Sequence, residues 1–216
     1  MKGILIRDVL VLYKRYLRIP VVIISIAGLV FTLIMGFPIS SLLSLILPIG
    51  IGALSTNLFA EDEKDNWLRQ VKIMPVSDAN VVCSRFIVFM GTVLTSSLYM
   101  LFLNAVSYLV HKDQTLTFYF IFTAMGFIVA VFNNFLLLPA CYKFGAQGAN
   151  IVSIGILISV GLLTVGIKKI NIRYFMNIYE TSPSYTIWLI AIVIFLITGI
   201  LSVKLSIFFY KTSKVQ

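Results

Sequence analysis

The chain has 216 residues, 60% hydrophobic and 12% charged, with a mean hydropathy of +1.02 and a formal charge of +9. A soluble domain carries about 25% charged residues, and half that supply cannot cover a globule of this size. Two cysteines and six prolines exclude disulfide-rich, collagenous and disordered classes, which leaves an integral membrane protein.

The N-terminal segment MKGILIRDVLVLYKRYLR, residues 1–18, is too charged to span a bilayer. At roughly 100° per residue, Arg7, Asp8, Lys14, Arg15 and Arg18 fall within about a 120° arc of a helix. Such an amphipathic helix lies in the interface plane, its basic face toward anionic headgroups. Two roles fit it: an elbow helix that grips the membrane and touches a partner, or a plain orientation anchor. The first long apolar stretch begins only near Ile19 and leads into a second one, so no cleavable signal peptide is expected.

A helical span needs about 20 mostly apolar residues, and six segments qualify. They run from about Ile19 to Gly36, Ile39 to Phe59, Phe86 to Val110, Leu116 to Leu138, Ile151 to Ile167 and Tyr185 to Tyr210. Barrel strands would alternate in hydrophobicity over about ten residues, and runs such as VVIISIAGLVFTLIMGF do not. The sequence therefore predicts an all-α integral membrane protein with six transmembrane helices, forming a single domain over residues 1–216. Basic residues near span ends set orientation. Lys2, Arg7, Lys14, Arg15, Arg18, Lys64, Arg69, Lys72, Arg85, Lys143, Lys204, Lys211 and Lys214 fall on one side. Lys112, Lys168, Lys169 and Arg173 fall on the other. Both termini are accordingly expected in the cytoplasm. Cys83 and Cys141 sit near span ends on that side, without a CxxC partner, and read as small buried residues.

The loop AEDEKDNWLRQVKIMPVSDANVVCSR, residues 60–85, holds five of the eight acids: Glu61, Asp62, Glu63, Asp65 and Asp78. Asp65 or Asn66 can cap a short helix through Trp67, Val71 and Met74. Pro75 then ends it, because the residue before a proline avoids the α region. Ser77 or Asp78 can cap the third span. Two roles fit here as well: an interrupted helix docking into another protein's groove, or a solvated loop whose Trp67 sits among headgroups.

The run of acids, Trp67, an apolar stretch, Pro75-Val76-Ser77 and Arg85 resembles the bacterial ABC-2-type permeases. More narrowly it is similar to their short six-span branch, whose members include permeases for phenol-soluble modulins and related peptides. The loop carries the close match, while the six-span layout and the N-terminal elbow agree along the whole chain. One departure is Asp78, where the family usually has a basic residue. The resemblance implies that residues 60–80 form a cytoplasmic coupling helix between spans 2 and 3. Glu61, Asp62, Glu63, Trp67, Pro75, Val76 and Ser77 would then contact a separate ABC ATPase subunit. It also implies a second permease subunit (identical or related), the lipid bilayer as surroundings, and an amphipathic peptide or other hydrophobic cargo, with no nucleic acid involved. The expected place is the bacterial plasma membrane, as a multi-pass exporter permease.

Soluble chemistry has no motif here. A Walker A loop needs G-x-x-x-x-G-K-[ST], and Gly161 to Gly166 is followed by Ile167 within an expected span. His111 is the single histidine, which rules out HExxH and makes a Ser-His triad improbable. The chain is thus expected to be no enzyme and to hold no cofactor, with ATP and Mg bound by the partner ATPase. Asn104, Asn133, Asn134 and Thr95-Ser96-Ser97 are neutral polar residues within spans. They suit either interhelical hydrogen bonding or a polar stripe lining a substrate path. Gly126-x-x-x-Ala130 and Gly145-x-x-x-Ala149 have the spacing of close helix contacts. Lys204 can snorkel to the membrane edge. The outer loop at 168–184 mixes Lys168, Lys169 and Arg173 with Tyr174, Phe175, Met176 and Tyr179, which suits an aromatic belt or a basic exit mouth. Rival functions are a non-transporting scaffold, an intramembrane enzyme, and an ion-coupled carrier, the last disfavoured by the lack of ionisable groups deep in the spans.

Overall fold

The computed structural model describes residues 2–73, 75–112, 114–152, 154, 155, 158 and 184–213, and every regular element among them is helical. α1 (Lys2–Val11) runs through a π-helical segment (Leu12–Leu17) into α2 (Arg18–Met35). α3 (Phe37–Leu54), α4 (Asn57–Lys64) and α5 (Trp67–Ile73) follow. The long helices α6 (Asp78–His111) and α7 (Leu116–Phe144) come next, then a 3-10 turn (Gly145–Gln147) and α8 (Ser184–Ser213).

Among the described residues, five stretches are long and apolar enough to cross a bilayer: Arg18–Met35, Phe37–Lys64, Asp78–His111, Leu116–Val152 and Ile192–Thr212. They correspond to the first four expected spans and the sixth. The expected fifth span, from about Ile151 to Ile167, and the loop at 168–184 lie outside the described residues except at their edges.

α3, α6 and α7 pack on one another as the central triad, with α2 against α3 and α6, and α8 against α7 and α6. The outer helices α2 and α8 expose most of their apolar side chains, whereas α6 and α7 bury far more of theirs. Water drives no association inside a bilayer, so such a triad relies on close backbone approach and interhelical hydrogen bonds. Gly126 supplies the first: a Cβ there would collide with the Ser44 carbonyl, bringing α7 directly onto α3. Asn104 supplies the second, donating from α6 to Ser44 Oγ on α3 at 2.8 Å and to Thr123 Oγ1 on α7 at 2.7 Å. Asn134, fully buried, donates to the Phe89 carbonyl at 3.3 Å, and Asn133 is half-buried.

Three boundaries differ from expectation, each for a local reason, while the start of α6 agrees with it. The joint between the first two membrane helices is Gly36, at φ 63° and ψ −141°, and Phe37 and Pro38 already belong to α3. That backbone region is essentially reserved for glycine. Helix α3 ends at Leu54, since Thr56 Oγ1 donates to the Ala53 carbonyl at 2.7 Å and the backbone tightens to i→i+3 bonds at Ser55 and Thr56. α6 begins at Asp78 because the Ser77 hydroxyl accepts the Asn80 N–H, making Ser77 its cap. At about 1.5 Å per residue its 34 residues exceed a hydrocarbon core of roughly 30 Å, so its first turns project beyond it. α7 continues through Pro139 to Phe144, as membrane helices can when neighbours accommodate the missing donor. Gly145 is not a packing glycine of the Gly-x-x-x-Ala kind: it stands beyond the end of α7 at φ 64°.

Gly126→Ala should lower the thermal midpoint of the detergent-purified chain, at an overpacking cost of about 1–3 kcal/mol. Gly50→Ala, where an added methyl meets nothing within 4 Å, should leave it unchanged or slightly raised. Equal midpoints for the two variants, read by tryptophan fluorescence on heating, would contradict the close α3–α7 approach.

Candidate functional site

The polar chemistry gathers at one end of the bundle, where α1, the π segment, α4, α5 and the first turns of α6 meet the last turns of α7 and α8. Residues at helical spacing bring it together. α1 buries Ile4 and Asp8, α4 buries Leu58, Phe59, Glu61 and Asp62, and α6 buries Val81, Val82, Arg85, Phe86 and Phe89. Both described chain ends reach this place: Asp8 bonds to Arg85, and Tyr210 stacks edge-on against Tyr142 at 5.6 Å between centroids.

Arg85 is the centre of it, 3% exposed. Its Nε donates to Asp8 Oδ2 at 2.6 Å and its Nη2 to Asp62 Oδ2. Arg7 completes a ring from the other side, Nη1 donating to Asp62 Oδ1 at 2.6 Å and to Asp8 Oδ1 at 3.0 Å. Two guanidinium groups and two carboxylates thus cancel in charge within a largely buried volume. Both cations also lie over rings, Arg7 4.3 Å from the centroid of Trp67 and Arg85 5.0 Å from that of Phe59.

The three consecutive acids of α4 each hold a different neighbour. Glu61, 2% exposed, accepts from the Tyr16 hydroxyl at 2.5 Å, and pairs with Arg15 and with Lys64. It fastens α4 to the π segment. Asp62, 5% exposed, fastens it to α1 and α6 through the ring. Glu63 is exposed, but its Oε1 accepts the Ala146 N–H at 2.9 Å and so reaches the turn after α7. That turn depends on Gly145, whose missing Cβ would otherwise strike the same carboxylate.

The sequence placed Glu61, Asp62 and Glu63 together on a surface for a partner. The structure turns the first two inward, because carboxylates this close to Arg7, Arg15 and Arg85 pair rather than remain in water. It likewise takes Arg7 and Arg15 from the basic face expected toward headgroups and pairs them with α4, while Lys14 and Arg18 stay exposed. Trp67 is half-buried beneath Arg7, Val76 is half-buried against the apolar cluster below, and Pro75 and Ser77 are exposed. Among the described side chains of α5, Val71 also turns inward, 3% exposed, while Ile73 projects outward, 87% exposed. Asp65 follows α4 and lies 3.9 Å from Arg7, and Asn66, at φ 49°, turns the chain into α5.

Asp8, Tyr16 and Tyr142 escaped notice as site residues, and Arg85 entered only as part of a resemblance. One signal was available: Asp8 is the sole acid in the first 60 residues, an unneeded negative charge on a basic face unless something pairs with it. Of the polar residues within spans, Asn104 and Asn134 donate through their amide nitrogens to the bonds that hold the triad. Among the described residues no group of three or more His, Cys, Asp or Glu side chains is arranged to hold a metal, and Cys83 and Cys141 are free thiols.

The fold and this site define a multi-pass helical membrane protein whose short helices at one end are tied to the bundle by ion pairs. The family model described as ABC-2 family transporter protein matches residues 3–211, and the chain belongs to that family. It is therefore the membrane permease of an ABC transporter, a transport component not itself catalytic, of a kind that generally works with an ABC ATPase. Comparison with curated proteins and with solved structures gave no match.

Breaking a buried ion pair by removing one partner costs about 3–5 kcal/mol, because the other charge is stranded. Arg85→Gln should therefore lower the unfolding midpoint steeply, and Asp8→Asn should do so less, since Arg85 keeps Asp62. In a double-mutant cycle the two changes should be markedly non-additive, by about 1 kcal/mol or more. Strict additivity would mean that the two side chains do not meet.

Proposed function

We propose that this permease is an exporter subunit of the bacterial plasma membrane, with both termini and the α4–α5 segment in the cytoplasm. α5 and the following Pro75 and Ser77 form the face that rests on a separate ATPase, which binds ATP and Mg. The single observation that carries this reading is the opposite treatment of α4 and α5. α4 is fastened on three sides by Glu61, Asp62 and Glu63, while α5 carries Ile73 outward at 87% exposure. An apolar side chain held in water by a rigidly anchored support suits docking into a groove. A push there would be passed by α4 to α1, α6 and the end of α7 together, so the load reaches three helices of the bundle at once. N-terminal residues 1–18 act as the elbow, with Lys14 and Arg18 toward headgroups and Arg7 and Arg15 toward α4.

A second permease subunit, identical or related, packs beside this one. Of the three amides that might have lined a conduit within one subunit, Asn104 and Asn134 donate into interhelical bonds and Asn133 is half-buried. That favours a path at the surface between two subunits, where α2 and α8 offer apolar side chains. The cargo is an amphipathic peptide of the phenol-soluble-modulin kind, or another hydrophobic compound, a choice that rests on the sequence resemblance.

The test is co-purification of the chain with its neighbouring ATPase in mild detergent, followed by ATPase assays with and without an amphipathic helical peptide. A stable complex with peptide-stimulated hydrolysis is expected. Ile73→Asp should cut stimulated hydrolysis about tenfold with an unchanged thermal midpoint, since that side chain makes no buried contact. Wild-type stimulation in Ile73→Asp would remove α5 from the contact surface, and no complex with a folded ATPase would overturn the permease–ATPase pairing. Glu61→Lys is a poor probe of docking, because it would dismantle the pairing with Tyr16 and Arg15.

A further inference from the structure

The π-helical segment closes with the Arg18 N–H donating to the Tyr13 carbonyl, five residues back. A turn closed between residues i and i+5 brings that pair to one face, where an α-helix would set them well apart. Tyr13 and Arg18 accordingly both line a groove of about 470 Å³ between α2 and α6. Val22 and Ile24 line it from α2, and Thr95 and Ser96 from α6. Its far end is crossed by the Tyr99 hydroxyl, which donates to the Ser25 carbonyl at 2.7 Å. Thr95 and Ser96 donate to carbonyls of their own helix, so this wall demands no polar ligand and tolerates an apolar one. Arg18 also differs from Arg7, Arg15 and Arg85, each of which faces a carboxylate. It is exposed and has no ion-pair partner among the described residues.

We propose that the groove holds one anionic phospholipid. Its phosphodiester sits on the Arg18 guanidinium and the Tyr13 hydroxyl, and one acyl chain lies along Val22 and Ile24 toward Tyr99. The occupant must carry a negative head and an apolar tail, because a cation with no ion-pair partner among the described residues stands at one end of the groove and aliphatic side chains along it. The groove opens sideways from a membrane-spanning pair of helices, with its cation at the start of α2 where that helix leaves the hydrocarbon. Basic pockets between membrane helices recognise anionic headgroups on these grounds. The π turn is what makes the site: an α-helical turn would move Tyr13 away from Arg18 and split the head-binding pair.

The experiment uses the full chain in a neutral detergent and follows its thermal midpoint on titration with dioleoyl phosphatidylglycerol, dioleoyl phosphatidylcholine or inorganic phosphate. Phosphatidylglycerol should raise the midpoint saturably, while the other two should not. Arg18→Gln should weaken the apparent affinity about fivefold or more, Arg18→Lys should keep most of it, and Val22→Trp, filling the groove from its exposed wall, should abolish the shift. Lys211→Gln, an exposed cation on α8 at the same end of the bundle, should bind as the unaltered chain does. An equal response to phosphatidylcholine, or an equal loss in Lys211→Gln and Arg18→Gln, would overturn the site in favour of diffuse attraction. A shift produced by inorganic phosphate alone would make it a free-anion site and overturn the lipid.

Discussion

A guanidinium cannot be taken out of water alone, and Arg85 is 3% exposed. The effective penalty for a buried ion is several kcal/mol even after relaxation, and only close, well-directed partners offset it. Asp8 and Asp62 supply those partners, but two carboxylates around one cation leave a net negative charge, which Arg7 then neutralises. The ring therefore fixes four side chains from three separate helices in one arrangement. Once Asp8 is committed to Arg85, α1 cannot lie freely on a membrane surface. Once Asp62 is committed, α4 cannot swing as a loop.

From that constraint follows the division of labour among acids close in sequence. Glu61, Asp62 and Glu63 occupy successive positions, so on a helix they point in three directions about 100° apart. Each direction meets a different neighbour: the π segment, the ring, and the turn after α7. Three anchors in three directions immobilise a helix of only eight residues, which would be marginal by itself. The segment that looked most like a solvated loop is instead strongly tied to the bundle.

Much of the architecture was legible in the sequence, because apolar length is a direct consequence of bilayer thickness. The cap at Ser77 and the short helix ending before Pro75 were legible for similarly local reasons. What escaped was long-range pairing. Asp8 and Arg85 are far apart in sequence, and nothing in either neighbourhood announces the other. Periodicity put Arg7 and Arg15 on a polar face correctly, yet a polar face can meet water, headgroups or another polar face, and composition alone does not choose among them. The π turn was hidden for a related reason. The helical wheel assumed a constant 100° step, whereas the extra residue in the turn shifts the register of Arg18 against Tyr13.

α6 is held twice along its length, by chemically different means and to different neighbours. Toward its C-terminal end the link is neutral, Asn104 holding Ser44 and Thr123; near its N-terminal end it is ionic, Arg85 holding Asp8 and Asp62. The order follows from solvation, since an amide with partners is tolerable in hydrocarbon while a charge there is far more costly. Two links at different depths also restrict how α6 can move. Sliding α6 along its axis past its neighbours would break both, stranding a buried charge at one level and buried amide donors at the other. Tilting the helices together breaks neither. A force delivered at the ionic end is thus more readily converted into rigid-body rotation of the triad than into shear within it.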